Sequence, residues 1–305
     1  MNRDSRHDHH HAAPNYNRAF ALGVSLNVTF VIIEASAGAM AGSLALLTDA
    51  GHNLSDVLGL LLAWGAAALA RRRPSARRTY GYSRATILAS LFSSLLLMGA
   101  VGAIGWEAIH RLVEQPAAPK GLTIMIVAAV GVVINGATAL LFLSGKDLDL
   151  NIRGAYLHMA ADAAVSVGVV VSGLLIWVYG IYWLDAVISL VIAAVILLST
   201  WHLLRDSLDL AVDAVPRGVD PAEVRTYLSG LVGVQHLHDL HIWPMSTTDT
   251  ALTAHLVMDP VPDNDEFLQD VSHQLEHRFG IHHPTIQIER PGGDAHCHQA
   301  AHCAD

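Results

Sequence analysis

Six apolar stretches fill this chain between residues 18 and 204. Each is about as long as the roughly 20 residues that a helix needs to cross a bilayer. Hydrophobic residues make up 52% of the chain and charged residues only 15%, and the composition turns polar after residue 206. Because a segment in lipid must satisfy its backbone internally, these stretches predict transmembrane helices. We predict spans at 18–40, 44–70, 84–112, 121–144, 154–179 and 183–204.

Basic residues predict how the spans are oriented. The loop after the second span carries five arginines, and the loop after the fourth carries Lys146 and Arg153. The connections at 41–43 and 180–182 carry no basic residue. Since cytoplasmic loops are enriched in Lys and Arg, we expect both termini in the cytoplasm.

Composition divides the chain into four segments. Residues 1–17 form a His-rich tail without the layout of a cleavable signal peptide. Residues 18–206 are the predicted membrane domain, and 207–290 a soluble domain. The tail at 291–305 holds Cys297 and Cys303 among histidines. Thiol and imidazole suit zinc or copper(I), so a metal-binding tail and a solvated tail are both open interpretations.

A short pattern occurs twice inside the predicted spans. His52 and Asp56 are four residues apart in the second span, and His158 and Asp162 repeat that spacing in the fifth. Residues four apart lie on one helix face, so each pair presents an imidazole beside a carboxylate. Ionisable groups at membrane depth commonly mark an ion or proton path. Asp49 lies one turn before His52, as a supporting partner or an approach residue.

Two imidazoles and two carboxylates are enough for a tetrahedral shell around zinc. The two carboxylates balance the charge of a dication. Imidazoles favour zinc, cobalt, nickel or cadmium over magnesium and calcium. Because His must be neutral to bind metal, metal entry should release protons, which is the basis of a metal/proton exchanger.

The soluble segment reads as a small α+β domain. Asp220, Pro221 and Glu223 predict a helix start, and HLHDLHIW and ALTAHLVMD alternate like strands. A second helix, starting near 263 or 264, ends at Gly280 before a third strand, TIQIE. From 207 to 305 there are 15 Asp plus Glu, 4 Arg, no Lys and 11 His. Candidate ligands are His238, His255, His282 and His283.

The chain resembles the cation diffusion facilitators, in their zinc-transporting branch. The resemblance rests on SLALLTDAGHNLSDVLGL, RTYGYSRATILAS, HDLHIWPMSTTDTALTAHLVMD and GIHHPTIQIE. It implies a homodimer in a bacterial inner membrane that exports zinc, and also cadmium or cobalt, in exchange for protons. It assigns the transport ligands to His52, Asp56, His158 and Asp162, and it implies alternating access.

For the soluble domain, the resemblance implies a ferredoxin-like, metallochaperone-like dimerisation unit. It places His238 and His255 where the family has regulatory ligands. Gln287 and Glu289 stand where relatives have His and Asp, so Glu289 is a further candidate. Thr86 replaces a glutamate that members often have. Bound cations are expected to draw two acidic domains together.

Other functions fit the sequence less well. An intramembrane metalloprotease would need H-E-x-x-H, which the sequence lacks. A phosphate-binding loop for ATP is also missing. A channel would have to release its ion faster than a site with four ligands allows. A metal-sensing scaffold without flux remains the alternative.

We predict zinc as substrate and regulatory ligand rather than as an enzyme cofactor, and no nucleic-acid partner.

Overall fold

A computed structural model describes residues 16–114, 118–143, 150–262 and 265–291. The predicted tail before residue 16 and the cysteine-containing tail after residue 291 lie outside these residues. Within the described residues, six long helices precede the small domain. They are α1 Tyr16–Ala41, α2 Leu44–Ala70, α3 Ala85–Glu114, α4 Gly121–Phe142, α5 Leu150–Tyr179 and α6 Trp183–Ala211.

The predicted multi-pass membrane architecture is confirmed. In the described part of the chain, α2 to α6 are long and apolar enough to cross a membrane, and α1 adds a shorter apolar stretch, Val28–Ala41. The sixth helix departs from its predicted end at 204, since it continues to Ala211. No Gly or Pro interrupts the sequence before Pro216, so the backbone can stay helical beyond the apolar run.

The chain forms two compact units. One comprises Met1–Val57 with Val101–Ala194, and the other Leu58–Ala100 with Val195–Asp305. The helices α2, α3 and α6 therefore contribute residues to both.

In the first unit, glycines let α4 and α5 touch through their backbones. A Cβ added at Gly121 would lie 2.6 Å from the carbonyl oxygen of Gly173. One added at Gly173 would lie 2.6 Å from the amide nitrogen of Met125. Small residues permit this close approach, which is how helices associate in lipid. The contact fixes α5, the helix that carries His158 and Asp162, against α4.

A buried carboxylate fixes the start of α2. Asp185 of α6 accepts hydrogen bonds from Ser43 Oγ at 2.5 Å and from the amide nitrogen of Leu44 at 2.6 Å. The first amides of a helix lack partners within it and favour negative charge. Asp185 therefore satisfies the exposed end of α2 and positions the helix that carries His52 and Asp56.

The second unit contains the small domain, in the predicted order α-β-β-α-β. Its elements are α7 Pro221–Ser229, β1 Val234–Pro244, β2 Thr250–Met258, α8 Glu266–Phe279 and β3 Ile281–Glu289. Within the described residues, β2 is the central strand, antiparallel to β1 and parallel to β3. As predicted, Asp220 caps α7 by accepting from the amide of Ala222 at 2.8 Å, and Gly280 ends α8 at φ 67°.

The two faces of the sheet differ in burial. On β2, Leu252, Ala254, Leu256 and Met258 are buried in the core formed with α7 and α8. His255 alternates with them and is only half-buried. Since successive strand residues point to opposite faces, His255 lies on the face away from this core. The α+β fold class is confirmed, and its open face carries histidines.

The second unit also includes the start of α3, which contacts the small domain. Arg84 forms an ion pair with Asp213 at 2.7 Å. Thr86 Oγ1 accepts a hydrogen bond at 3.1 Å from the amide of Thr247, in the β1–β2 turn. Residue 86, where the resemblance implies a glutamate, therefore contacts the small domain here through a hydroxyl.

Candidate metal centres

The two His-x-x-x-Asp pairs meet between α2 and α5. His52 and Asp56 lie one turn apart on α2, and His158 and Asp162 one turn apart on α5. Across the helices, His52 Nε2 is 3.4 Å from Asp162 Oδ1, and His158 Nε2 is 3.2 Å from Asp56 Oδ2. Within each helix the corresponding distances are 3.7 and 3.6 Å. Imidazoles and carboxylates thus alternate around one point, and we call these four residues the membrane cluster.

The spacing of the membrane cluster suits a tetrahedral cation. Ligand atoms about 2.0–2.1 Å from zinc lie about 3.3–3.4 Å from one another in a regular tetrahedron. The four nitrogen–oxygen distances, from 3.2 to 3.7 Å, bracket that value. The ligand atoms of His52, Asp56 and Asp162 already lie within 4.8 Å of one another, and the imidazole of His158 would have to move toward them to complete a shell of four.

Burial and charge are uneven across the membrane cluster. Side-chain exposure is 5% for Asp162 and 16% for His52, against 33% for Asp56 and 44% for His158. No Lys or Arg of the described residues lies within ion-pair distance of either carboxylate. An unneutralised pair of carboxylates at membrane depth is costly. A dication would neutralise them.

Polar residues next to the cluster join its helices. Asp49 is fully buried and accepts a hydrogen bond at 3.2 Å from Ser166, one turn beyond Asp162 on α5. Asn53, next to His52, donates at 3.3 Å to the fully buried Glu34 of α1. Asp49 thus connects α2 to α5 beside the cluster, and its part as a supporting or an approach residue stays a prediction. The sequence did not single out Ser166 or Asn53, because a serine or asparagine in a helix rich in small residues gives no indication of which residue it will contact.

A second group forms on the open face of the sheet. His238 of β1 and His255 of β2 are paired across the strands, and their ring centroids are 5.2 Å apart. Glu289 of β3 reaches both: Oε2 is 3.1 Å from His238 Nε2, and Oε1 is 2.9 Å from His255 Nδ1. All three are half-buried and present one ligand atom each to a common point. We call them the sheet cluster.

Two further residues adjoin the sheet cluster that the sequence did not single out. The pairing of β1 with β2 is irregular between His238 and His241, and Asp239 there has φ 50°. Asp239 Oδ2 is 3.5 Å from His255 Nε2, and Oδ1 is 2.9 Å from His241 Nε2. Strand alternation alone would put Asp239 on the other face from His238, so only the bulge brings it to the cluster.

The remaining predicted ligands lie elsewhere. His282 and His283 are exposed at the start of β3, and His283 contacts the edge of Tyr80, with ring centroids 5.6 Å apart. Neither belongs to a metal-binding group among the described residues. Gln287, which stands at one of the two positions where the resemblance implies His and Asp, donates a hydrogen bond to Glu289 Oε1 at 2.9 Å.

Known proteins resemble this chain over nearly its full length. The cation efflux system protein CzcD of Alcaligenes sp. (strain CT14) is 38% identical, over 96% of this chain and 92% of its own length. The cadmium, cobalt and zinc/H(+)-K(+) antiporter of Bacillus subtilis (strain 168) is 35% identical, over 96% and 94%. The zinc transporter ZitB of Escherichia coli (strain K12) is 34% identical, over 96% and 95%.

A solved structure matches one part of the chain. The metal-bound C-terminal domain of the CzcD transporter from Cupriavidus metallidurans is 40% identical and covers 23% of this chain and 99% of its own, with a TM-score of 0.22.

Two family models match two consecutive segments of the chain. Residues 20–210 match the cation efflux transmembrane domain, and residues 216–291 match the cytoplasmic domain of cation efflux proteins. The family and the relatives above are transporters and not enzymes. The chain therefore belongs to the cation efflux family, the cation diffusion facilitators, with both the membrane domain and the cytoplasmic domain of that family.

Proposed function

We propose that this protein exports zinc, and also cadmium or cobalt, from the cytoplasm in exchange for protons, with the membrane cluster as its transport site. The observation that supports this most is the alternation of two imidazoles and two carboxylates at zinc-like spacing within membrane helices. The names of the Bacillus subtilis and Escherichia coli relatives support the choice of metals.

Proton coupling follows from the ligands themselves. An imidazole binds metal only when it is neutral, and its unperturbed pKa near 6.5 lies close to cytoplasmic pH. Protons and metal therefore compete for the same nitrogens. A proton arriving from the acidic side displaces the metal there, and metal arriving from the cytoplasm releases the proton inward. The antiporter name of the Bacillus subtilis relative agrees with this cycle.

The wider assembly is part of the proposal. We place the protein in the bacterial inner membrane, with both termini and the small domain in the cytoplasm, because Arg71, Arg72, Arg73, Arg77 and Arg78 all follow α2. We take the active form to be a homodimer that alternates access to the membrane cluster.

The test is zinc flux into proteoliposomes that hold the purified protein. An imposed pH gradient is expected to drive zinc accumulation, and collapse of the gradient with a protonophore should stop it. Protein-free vesicles with the same gradient control for leakage. Zinc flux that does not depend on the pH gradient would contradict antiport and indicate uniport. A folded, zinc-binding protein without flux would favour the metal-sensing scaffold, the alternative that the sheet cluster supports.

Regulation by cytoplasmic metal is a further part of the proposal. The sheet cluster offers two imidazoles and one carboxylate, with Asp239 and His241 beside it. A cation bound there would offset some of the acidic charge of residues 207–305. If it binds better when two domains are together, it will favour that arrangement.

Replacing Glu289 with alanine is expected to weaken zinc binding at the sheet cluster more than about 10-fold, because Glu289 is the one carboxylate of the described residues that reaches both imidazoles. Equilibrium dialysis of the full chain should show one high-affinity zinc fewer, while the zinc of the membrane cluster remains. Asp270→Ala, at an exposed carboxylate of α8, is the matched control. Equal zinc content in Glu289→Ala and the native protein would contradict the regulatory site.

A further inference from the structure

A histidine pair on α8 lies outside both clusters. His273 and His277 are exposed and one turn apart, with ring centroids 4.2 Å apart and planes tilted by 47°. In contrast to the histidines of the two clusters, neither has a carboxylate within ion-pair distance among the described residues. Two accessible imidazoles thus lie next to each other, and neither forms an ion pair with a carboxylate of the described residues.

The spacing of this pair is that of a helical zinc chelate. Residues 273–277 read H-Q-L-E-H, and two histidines at i and i+4 on one helix face are how H-E-x-x-H binds zinc. The glutamate that acts as catalytic base in that motif follows the first histidine, where this chain has Gln274. The pair therefore has the means to hold a metal but lacks that base.

The electrostatic setting also favours a cation. His277 lies in the last turn of α8, where the helix dipole is negative, and Glu276 precedes it. Arg278 is the nearest basic residue in sequence, and its guanidinium carbon lies over the rings of Tyr227 and Phe279, at 5.1 and 5.2 Å from their centroids. Its charge is thus held in the groove between α7 and α8.

We infer that His273 and His277 form a third metal-binding site, an open two-imidazole chelate for a borderline divalent cation such as zinc, cobalt or nickel. Two protein ligands leave the other coordination positions to water, so this site binds more weakly than the membrane cluster and exchanges its ion more readily. It stands on the surface of α8, whereas the sheet cluster is built from the three strands. The inference does not depend on the proposed transport, because it concerns binding alone.

The experiment uses the full chain, without an added affinity tag, in a background of Asp162→Ala and Glu289→Ala. Both His-rich tails remain in every variant, so their binding cancels in the comparison. Zinc and nickel binding is measured by equilibrium dialysis. We expect His273→Gln and His277→Gln each to weaken one binding event at least about 10-fold, since either change turns a chelate into a single ligand. The double variant should lose no more zinc or nickel binding than either single variant.

His110→Gln is the matched control, since His110 is an exposed helical histidine whose i+4 neighbour is Glu114, at 3.1 Å, and not a second imidazole. It should leave the binding unchanged. A second measurement needs no variant: zinc should protect His273 and His277 of the native chain from diethylpyrocarbonate, as read by mass spectrometry. Unchanged binding in both single variants, or equal modification with and without zinc, would overturn the inference. Because the inference concerns metal binding alone, it does not depend on whether the protein transports zinc.

Discussion

Replacing Asp162 with alanine is expected to reduce gradient-driven zinc flux about 100-fold. Asp162 is the most buried member of the membrane cluster and contacts both imidazoles, through Oδ1 to His52 and Oδ2 to His158. Without it, a dication would keep one uncompensated positive charge at membrane depth. Such a charge costs about 3 kcal/mol on insertion scales, and every 1.4 kcal/mol is a factor of about ten in binding. Zinc uptake into proteoliposomes at a fixed pH gradient measures the effect.

Ser172→Ala is the control for this experiment. Ser172 lies on the same helix and is equally buried, and its hydroxyl has no hydrogen-bond partner among the described residues. Removing it should leave flux within about twofold of the native rate, because no contact is lost. If Asp162→Ala transported zinc as fast as Ser172→Ala, the membrane cluster would not be the transport site.

Replacing Gly173 with alanine is expected to destabilise the membrane unit by about 2 kcal/mol or more. The added methyl would lie 2.6 Å from the Met125 amide nitrogen and 2.9 Å from the Gly121 carbonyl oxygen, both backbone atoms that no rotamer change can move. The helices α4 and α5 must then separate, and forced separation of a packed interface costs at least as much as ordinary overpacking. Since α5 carries His158 and Asp162, zinc flux should fall as well. The thermal midpoint of the detergent-solubilised protein, read by size-exclusion chromatography after heating, measures the stability.

Gly168→Ala is the matched control, on the same helix. A Cβ added at Gly168 meets nothing within 4 Å. Alanine there should be neutral or stabilising by about 0.5–1 kcal/mol, because it is the better helix former. If Gly173→Ala and Gly168→Ala had the same thermal midpoint, the close approach of α4 and α5 would contribute nothing to stability.

The membrane helices could be predicted because lipid enforces a simple rule. Apolar length alone indicates a span, and the bounds of α2, predicted as 44–70, agree with Leu44–Ala70. Apolar length says nothing about a helix beyond the bilayer. The sequence therefore placed the end of the sixth span at 204 and missed the helical extension to Ala211. In the small domain, Asp220 and Gly280 indicated helix ends because capping depends on one or two neighbouring residues.

The four residues of the membrane cluster were predictable for the same local reason. A spacing of four fixes His52 beside Asp56 and His158 beside Asp162, whatever the rest of the fold does. The sequence could not show that the cross-helix contacts, at 3.4 and 3.2 Å, are shorter than those within each helix. Nor could it show that Ser166 and Asn53 hold the neighbouring carboxylates, since those partners are distant in sequence.

By itself, then, the sequence determined the membrane helices, the order of elements in the small domain and the residue types of the membrane cluster, because each depends on a local period. Only the tertiary structure decided which side chains meet. The bulge at Asp239 brought Asp239 and His241 to the sheet cluster, while strand position left His282 and His283 outside it. Register, bulges and helix packing depend on contacts between residues far apart in the chain, and no local pattern encodes them.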